Sequence, residues 1–132
     1  NTGDELLDII ISNSSGKPIY EQIVSQIKNM IITGELKPGD ALPSMRLLAK
    51  ELRISVITTK RAYEELERDG FIESVMGKGS YVAAQNPELI REEHLRKVEE
   101  YMEKAVERAR LANISLEELI EIMTMLYQEG EK

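Results

Sequence analysis

Between Ser44 and Gly70 the chain carries two short apolar-patterned stretches joined by about three residues, and that arrangement leaves few folds open. Ser44 stands where a side-chain oxygen caps a helix carrying Leu47, Leu48 and Leu52, with Ala49 between them. Arg53-Ile54 makes a tight connection, and Ser55 is placed to cap a second helix whose inward face reads Ala62, Tyr63 and Leu66. That helix ends at Asp69-Gly70, where the glycine supplies the left-handed position past a helix end. Two short helices joined in this way form a helix-turn-helix.

The flanks extend the motif. Ile19, Ile23, Ile27, Met30 and Ile31 recur at three- and four-residue spacing after Pro18, which predicts a helix from Pro18, as first helical residue, to Thr33. Phe71–Val75 and Ser80–Ala83 read as two strands around Met76-Gly77-Lys78-Gly79, whose glycines permit a tight hairpin. Helix, helix-turn-helix and hairpin in that order make a winged helix over residues 18–83. Ahead of it, residues 1–17 carry Leu6, Leu7, Ile9, Ile10 and Ile11 before a Ser-Asn-Ser-Ser-Gly turn, which predicts a short extended segment. The fold class is therefore mainly α with a small β hairpin.

Residues 84–132 predict two further helices. Asn86-Pro87 reads as cap and first residue of a long one, with Leu95, Val98, Met102, Ala105, Ala109 and Ala112 on a narrow stripe. Ser115 and Glu118 form a capping box for another, carrying Leu116, Leu119, Ile120, Met123, Leu126 and Tyr127 on one side. A two-helix unit of about fifty residues is too small to bury much surface alone. Its stripes need a cover, either the winged helix of the same chain or the same helices of a second chain. The thin seam, flanked by charges such as Glu99, Lys104, Glu107 and Arg108, favours a symmetric homodimer. Leu95, Val98, Met102, Ala105, Ala109, Leu116, Leu119, Ile120 and Met123 are the expected dimerisation residues.

Composition removes most chemistry. With no Cys, the 132 residues hold no disulfide, thiolate metal site or cysteine nucleophile. The one histidine, His94, sits among Glu92, Glu93 and Arg96 with no second histidine to share a metal. Gly77-Lys78-Gly79 is too short for a phosphate-binding loop. An enzyme, a bound metal and a cofactor are not expected. No apolar run reaches the roughly 18–20 residues of a membrane span, and Asp4 and Glu5 stand where a leader would carry basic residues. A cytoplasmic protein is the expectation.

The net charge of -7 argues at first against a nucleic-acid partner. Its distribution argues the other way, because Arg46, Lys50, Arg53, Lys60 and Arg61 meet only Glu51 between Ser44 and Ala62, a local excess of +4. A recognition helix presents its N-terminal residues to base edges in the major groove of double-stranded DNA. Here those residues are Ser55, Val56, Ile57, Thr58 and Thr59. Ser and Thr hydroxyls can bond bases or phosphates, while Val56 and Ile57 either touch thymine methyl groups or pack within the motif. Lys60, Arg61 and Arg46 are placed for phosphates, and Lys78 at the hairpin tip for the minor groove.

Several stretches also carry a family resemblance. Pro18-Ile-Tyr-Glu-Gln-Ile, Gly34-Glu-Leu-Lys-Pro-Gly-Asp, Leu42-Pro-Ser-Met-Arg-Leu-Leu-Ala, Glu65-Leu-Glu-Arg-Asp-Gly-Phe-Ile and Gly77-Lys-Gly-Ser-Tyr-Val closely resemble the N-terminal domain of the GntR family of bacterial transcription regulators. The likeness runs almost continuously over residues 18–82, and the short tail resembles the YtrA subfamily. The resemblance implies a sequence-specific regulator, usually a repressor and often of neighbouring transporter genes, that dimerises through its tail. It puts Arg46, Ser55, Thr58, Lys60 and the Gly77-Lys78-Gly79 wing at DNA-contact positions, and Ser44 is expected to bind DNA beside Arg46. One departure stands out. Where the family commonly shows Arg after the capping Ser, this chain has Val56-Ile57, and Val cannot bond guanine as Arg does. A winged-helix protein-interaction module that reads no DNA is the alternative. The small tail leaves little room for a cavity of roughly 300–1,000 Å³, so a small-molecule effector is not expected.

Overall fold

The computed structural model describes residues 7–130. Seven elements follow one another: α1 (Ile19–Ile32), α2 (Met45–Leu52), α3 (Val56–Arg68), β1 (Ile72–Val75), β2 (Gly79–Val82), α4 (Pro87–Leu111) and α5 (Leu116–Glu129). They fall into two compact units, Asn1–Ile90 and Arg91–Lys132.

In the first unit, α1 and α2 pack on α3. The apolar spacing in α1 buries Ile23, Val24, Ile27, Met30 and Ile31, and α3 answers with Ala62, Tyr63 and Leu66. Leu36, Leu42, Leu48, Phe71, Ile72 and Val82 complete the core. Removing a fully enclosed side chain such as that of Leu66 costs roughly 2–5 kcal/mol, because transfer and cavity terms add. Tyr63 places its ring in this core and its hydroxyl on the Pro43 carbonyl, 2.7 Å away. Burial pushes that hydroxyl's pKa far above the ordinary phenol range.

Local chemistry sets the element ends. Pro18, expected as the first helical residue, is the cap of α1 instead, extended at φ -55 and ψ 148. A proline lacks the donor but keeps the carbonyl, and that carbonyl accepts from Glu21 N at 3.1 Å and Gln22 N at 3.2 Å. Ser44 Oγ accepts from Leu47 N, and Ser55 Oγ from Thr58 N, each at 3.1 Å. Between them α2 stops on Arg53, whose φ of 57 is left-handed. Ile54 N then closes on Ala49 O at 3.0 Å.

The hairpin pairs Ile72 with Val82 and Val75 with Gly79, so Gly79 belongs to β2 rather than to the turn. Gly77 and Gly79 take φ of 78 and 113, which only glycine adopts cheaply. Phe71 lies just outside β1, its N–H donating to the Leu66 carbonyl at 2.9 Å. Residues 39–42 add a short third edge to β2. Gly39 N donates to Val82 O and Val82 N to Asp40 O, both at 2.8 Å, and Leu42 N donates to Ser80 O at 2.9 Å.

Of the expected extended segment, residues 1–6, Leu6 included, lie outside the described residues. Residues 7–12 have no regular secondary structure and are tied to α1 by two glutamines one turn apart. Gln26 accepts from Ile10 N (2.9 Å) and donates to Ile10 O (2.7 Å). Gln22 accepts from Ser12 N (2.8 Å) and donates to Ser12 O and Lys17 O (both 2.9 Å). Each glutamine thus stands in for a strand neighbour, and Ile9 enters the core beside them.

In the second unit, α4 ends at a left-handed Asn113 (φ 57), with Ile114 N donating to Ala109 O at 2.9 Å. Ser115 Oγ accepts from Glu118 N at 3.2 Å and so forms the forward half of the capping box that opens α5. Residues 131–132 of the expected tail lie outside the described residues. Among the described residues no helix is long and apolar enough to cross a membrane.

Candidate nucleic-acid interface

The packing of α3 on α1 and α2 buries one side of the helix and fixes the other outward. Thr59, Ala62, Tyr63 and Leu66 face in. Val56, Ile57, Lys60, Arg61 and Glu64 are exposed on the opposite side. The sequence left Val56 and Ile57 open between packing and presentation. The structure leaves them 44% and 81% exposed.

Hydroxyl chemistry at the start of α3 is largely internal. Ser55 Oγ and Thr58 Oγ1 share a hydrogen bond of 2.9 Å in addition to the cap, and the buried Thr59 donates to Ser55 O at 3.2 Å. Thr59 was read as part of the presented end, and its burial follows from the helical angle that also turns Tyr63 inward.

Arg46, Lys50 and Arg53 from α2 and its cap, and Lys60 and Arg61 from α3, are all exposed. Arg61 is anchored, its guanidinium carbon 3.8 Å from the centroid of the Tyr20 ring and one Nη donating to the Tyr20 hydroxyl at 3.2 Å. Spacing alone did not reveal this partner, which comes from α1. Acidic groups gather at the far end of the same helix. There Glu65 pairs with Arg68 at 3.0 Å, Glu67 accepts from Ser74 N at 2.9 Å, and Asp69 pairs with Lys28 at 3.0 Å. The helix is thus basic at its start and acidic at its end, a polarity that suits a phosphate backbone only at the first turns.

The hairpin exposes Gly77, Lys78 and Gly79 to solvent, together with Met76 at 99% exposure. Lys78 N donates to Val75 O at 2.9 Å, which closes the turn and holds the lysine at its tip. On the tail, Leu95, Val98, Met102, Ala105, Leu116, Ile120 and Met123 are exposed within the single chain, Leu119 is half-buried and Ala109 is buried. The two helices do not pack along their lengths. A groove of about 550 Å³ runs along α4 between Glu99, Met102, Glu103, Val106 and Glu107. A second, of about 400 Å³, is lined by Ile120, Met123, Thr124, Tyr127 and Gln128 of α5. Each is walled by one helix. His94 is exposed, and among the described residues no cluster of acidic or histidine side chains could hold a metal.

A helix-turn-helix with a glycine-lysine hairpin beside it and cations about the second helix is a winged-helix DNA-binding regulator. The gntR family of bacterial regulatory proteins matches residues 19–82. The HTH-type transcriptional repressor YtrA of Bacillus subtilis (strain 168) is 38% identical over 113 residues, 86% of this chain and 87% of that protein. A GntR family transcriptional regulator from Listeria monocytogenes superposes with a TM-score of 0.67 at 32% identity, over 85% of this chain and 97% of that one. AraR(DBD), solved in complex with operator ORX1, superposes with a TM-score of 0.52 at 26% identity, over 60% of this chain and 99% of its own. The chain belongs to the GntR family of bacterial transcription regulators, and its kinship with YtrA reaches beyond the winged helix into the short tail. Its relatives are regulators, not enzymes.

Proposed function

We propose that the protein is a cytoplasmic repressor that binds a near-palindromic operator as a homodimer, one winged helix on each half-site. The observation that carries this reading is the outward side of α3, fixed by a buried inner face, with exposed cations on α3 itself and on α2. In this reading the first turn of α3, from Ser55 to Thr58, lies in the major groove. Arg46, Lys60 and Arg61 meet phosphates there, Ser44 sets the α2 terminus against the backbone, and Lys78 follows the minor groove between Gly77 and Gly79. The operator bound by AraR(DBD) supports a duplex partner for this fold, and the likeness to the transcriptional repressor YtrA supports repression. Neighbouring transporter genes are the proposed targets, on the family resemblance.

The tail is the proposed dimer clamp. Its apolar stripe has no cover along α4 and α5 in one chain, and a second copy supplies one under twofold symmetry. The α4 groove has the volume of a ligand site, yet one helix walls it, whereas such sites enclose most of their ligand. A partner helix fits it better than an effector. Two half-sites then stand about one helical turn, or a multiple, apart.

Selection of bound sequences from random duplexes tests this function. A near-palindromic consensus, with affinity that falls steeply as salt rises, is the expected result. Failure of every duplex to bind in a salt-sensitive way would assign the winged helix to protein partners instead. Operator binding by Arg46→Ala and Lys60→Ala equal to wild type would show that the surface is misassigned.

A further inference from the structure

The start of α3 has little polar chemistry left to offer a base. Ser55 Oγ is held by Thr58 N at 3.1 Å and by Thr58 Oγ1 at 2.9 Å, and Thr59 is buried on Ser55 O. What the first turn presents instead is hydrocarbon, Val56 at 44% and Ile57 at 81% exposure. Ile57 in particular gains little from packing within its own chain, and Val56 keeps nearly half of its surface free. Exposed Arg53 precedes this turn in the chain and exposed Lys60 and Arg61 follow it, charges that attract a polyanion. Within a major groove the one methyl group on an unmodified base edge is the C5-methyl of thymine, where cytosine carries only a hydrogen.

We propose that Val56 and Ile57 are the specificity residues of this regulator and read pyrimidine C5-methyl groups, thymine by default and 5-methylcytosine by the same contact. The proposal rests on the placement of α3 in the major groove set out above. It makes half-site recognition depend on methyl groups rather than on hydrogen bonds from the helix tip. Methylation of cytosine at a contacted position then strengthens binding.

The test uses the full chain and the consensus duplex from random selection. Each thymine is replaced in turn by deoxyuridine, which removes the methyl group and leaves every hydrogen-bonding group in place. At one or two positions per half-site, affinity is expected to fall about fourfold, the factor for exposing one methyl-sized group. At those positions 5-methylcytosine should bind better than cytosine by a similar factor. The double variant Val56→Ala, Ile57→Ala should bind the thymine and uridine duplexes equally while keeping a cooperative melting transition, since Ile57 is 81% exposed and Val56 only partly covered. Equal affinity of the wild type for every uridine duplex overturns the proposal while leaving the DNA-binding function intact. Persistent discrimination by the double variant overturns it as well. Absence of any selectable duplex is the separate result that removes the function itself.

Discussion

The guanidinium of Arg61 lies 3.8 Å from the centre of the Tyr20 ring and donates to the hydroxyl of the same tyrosine, so a residue of α1 holds a cation of α3 in place. Stacking and hydrogen bonding together restrict a side chain that would otherwise sample many rotamers. Fixed in advance, the charge loses less entropy when a phosphate arrives.

Tyr20→Ala removes the stack and keeps the charge. The expected cost is about 0.5–1 kcal/mol of stability and a several-fold loss of operator affinity with an unchanged salt slope. Arg61→Ala removes the charge itself and should reduce the slope of log affinity against log salt by about one. Fluorescence anisotropy at several salt concentrations separates the two variants.

Tyr63→Phe leaves the Pro43 carbonyl without its donor in a buried site. That loss is expected to cost about 1–3 kcal/mol in urea unfolding. Because burial raises the pKa of this hydroxyl above its ordinary 10.0, the tyrosine is neutral in both states below that pH. Above it the unfolded chain loses the proton first, so stability should fall as pH rises. The phenylalanine variant lacks that component of the alkaline decline, which unfolding curves between neutral and strongly alkaline pH will show.

Gln22 makes four hydrogen bonds to the segment ahead of α1, to Ser12 N, Ser12 O, Ser15 Oγ and Lys17 O. Gln22→Ala is expected to cost about 1–3 kcal/mol through the buried groups it leaves unpaired. Hydrogen exchange checks the locality of the effect. The amide of Ser12 should lose protection first, while those of α3 keep theirs relative to the global stability.

Much of this was legible in the sequence, for reasons that differ by element. Ser44 and Ser55 marked both caps because the hydroxyl acts on a backbone group only three residues ahead. The apolar spacing in α1 and α3 gave the core because a helix repeats its faces regularly. The Tyr20–Arg61 contact was invisible because it joins residues 41 positions apart on different helices. The glutamines of α1 looked like ordinary polar positions, yet their four-residue spacing was the available signal for a docked backbone. The pairing of residues 39–42 with β2 was hidden in a stretch whose Pro38-Gly39 reads as a plain helix stop. Nothing local announced that Arg53 would adopt the left-handed conformation.

Arg53 is therefore informative. A side chain at φ 57 costs about 1–2 kcal/mol relative to a right-handed residue, while glycine loses about 0.5–1 kcal/mol more in backbone freedom. Arg53→Gly should raise stability by up to about 1.5 kcal/mol on these figures. It also removes one cation of the basic zone, so operator affinity should fall as the melting temperature rises. Calorimetry and anisotropy on the same variant check that the two move in opposite directions.

Sedimentation of the protein with a fluorescent operator duplex, at concentrations spanning the binding transition, bears most directly on the twofold reading of DNA through α3. Two chains per duplex, with no appreciable species carrying one, is the expected outcome for a pair joined by α4 and α5. Tight binding of a single chain to the selected duplex would contradict it.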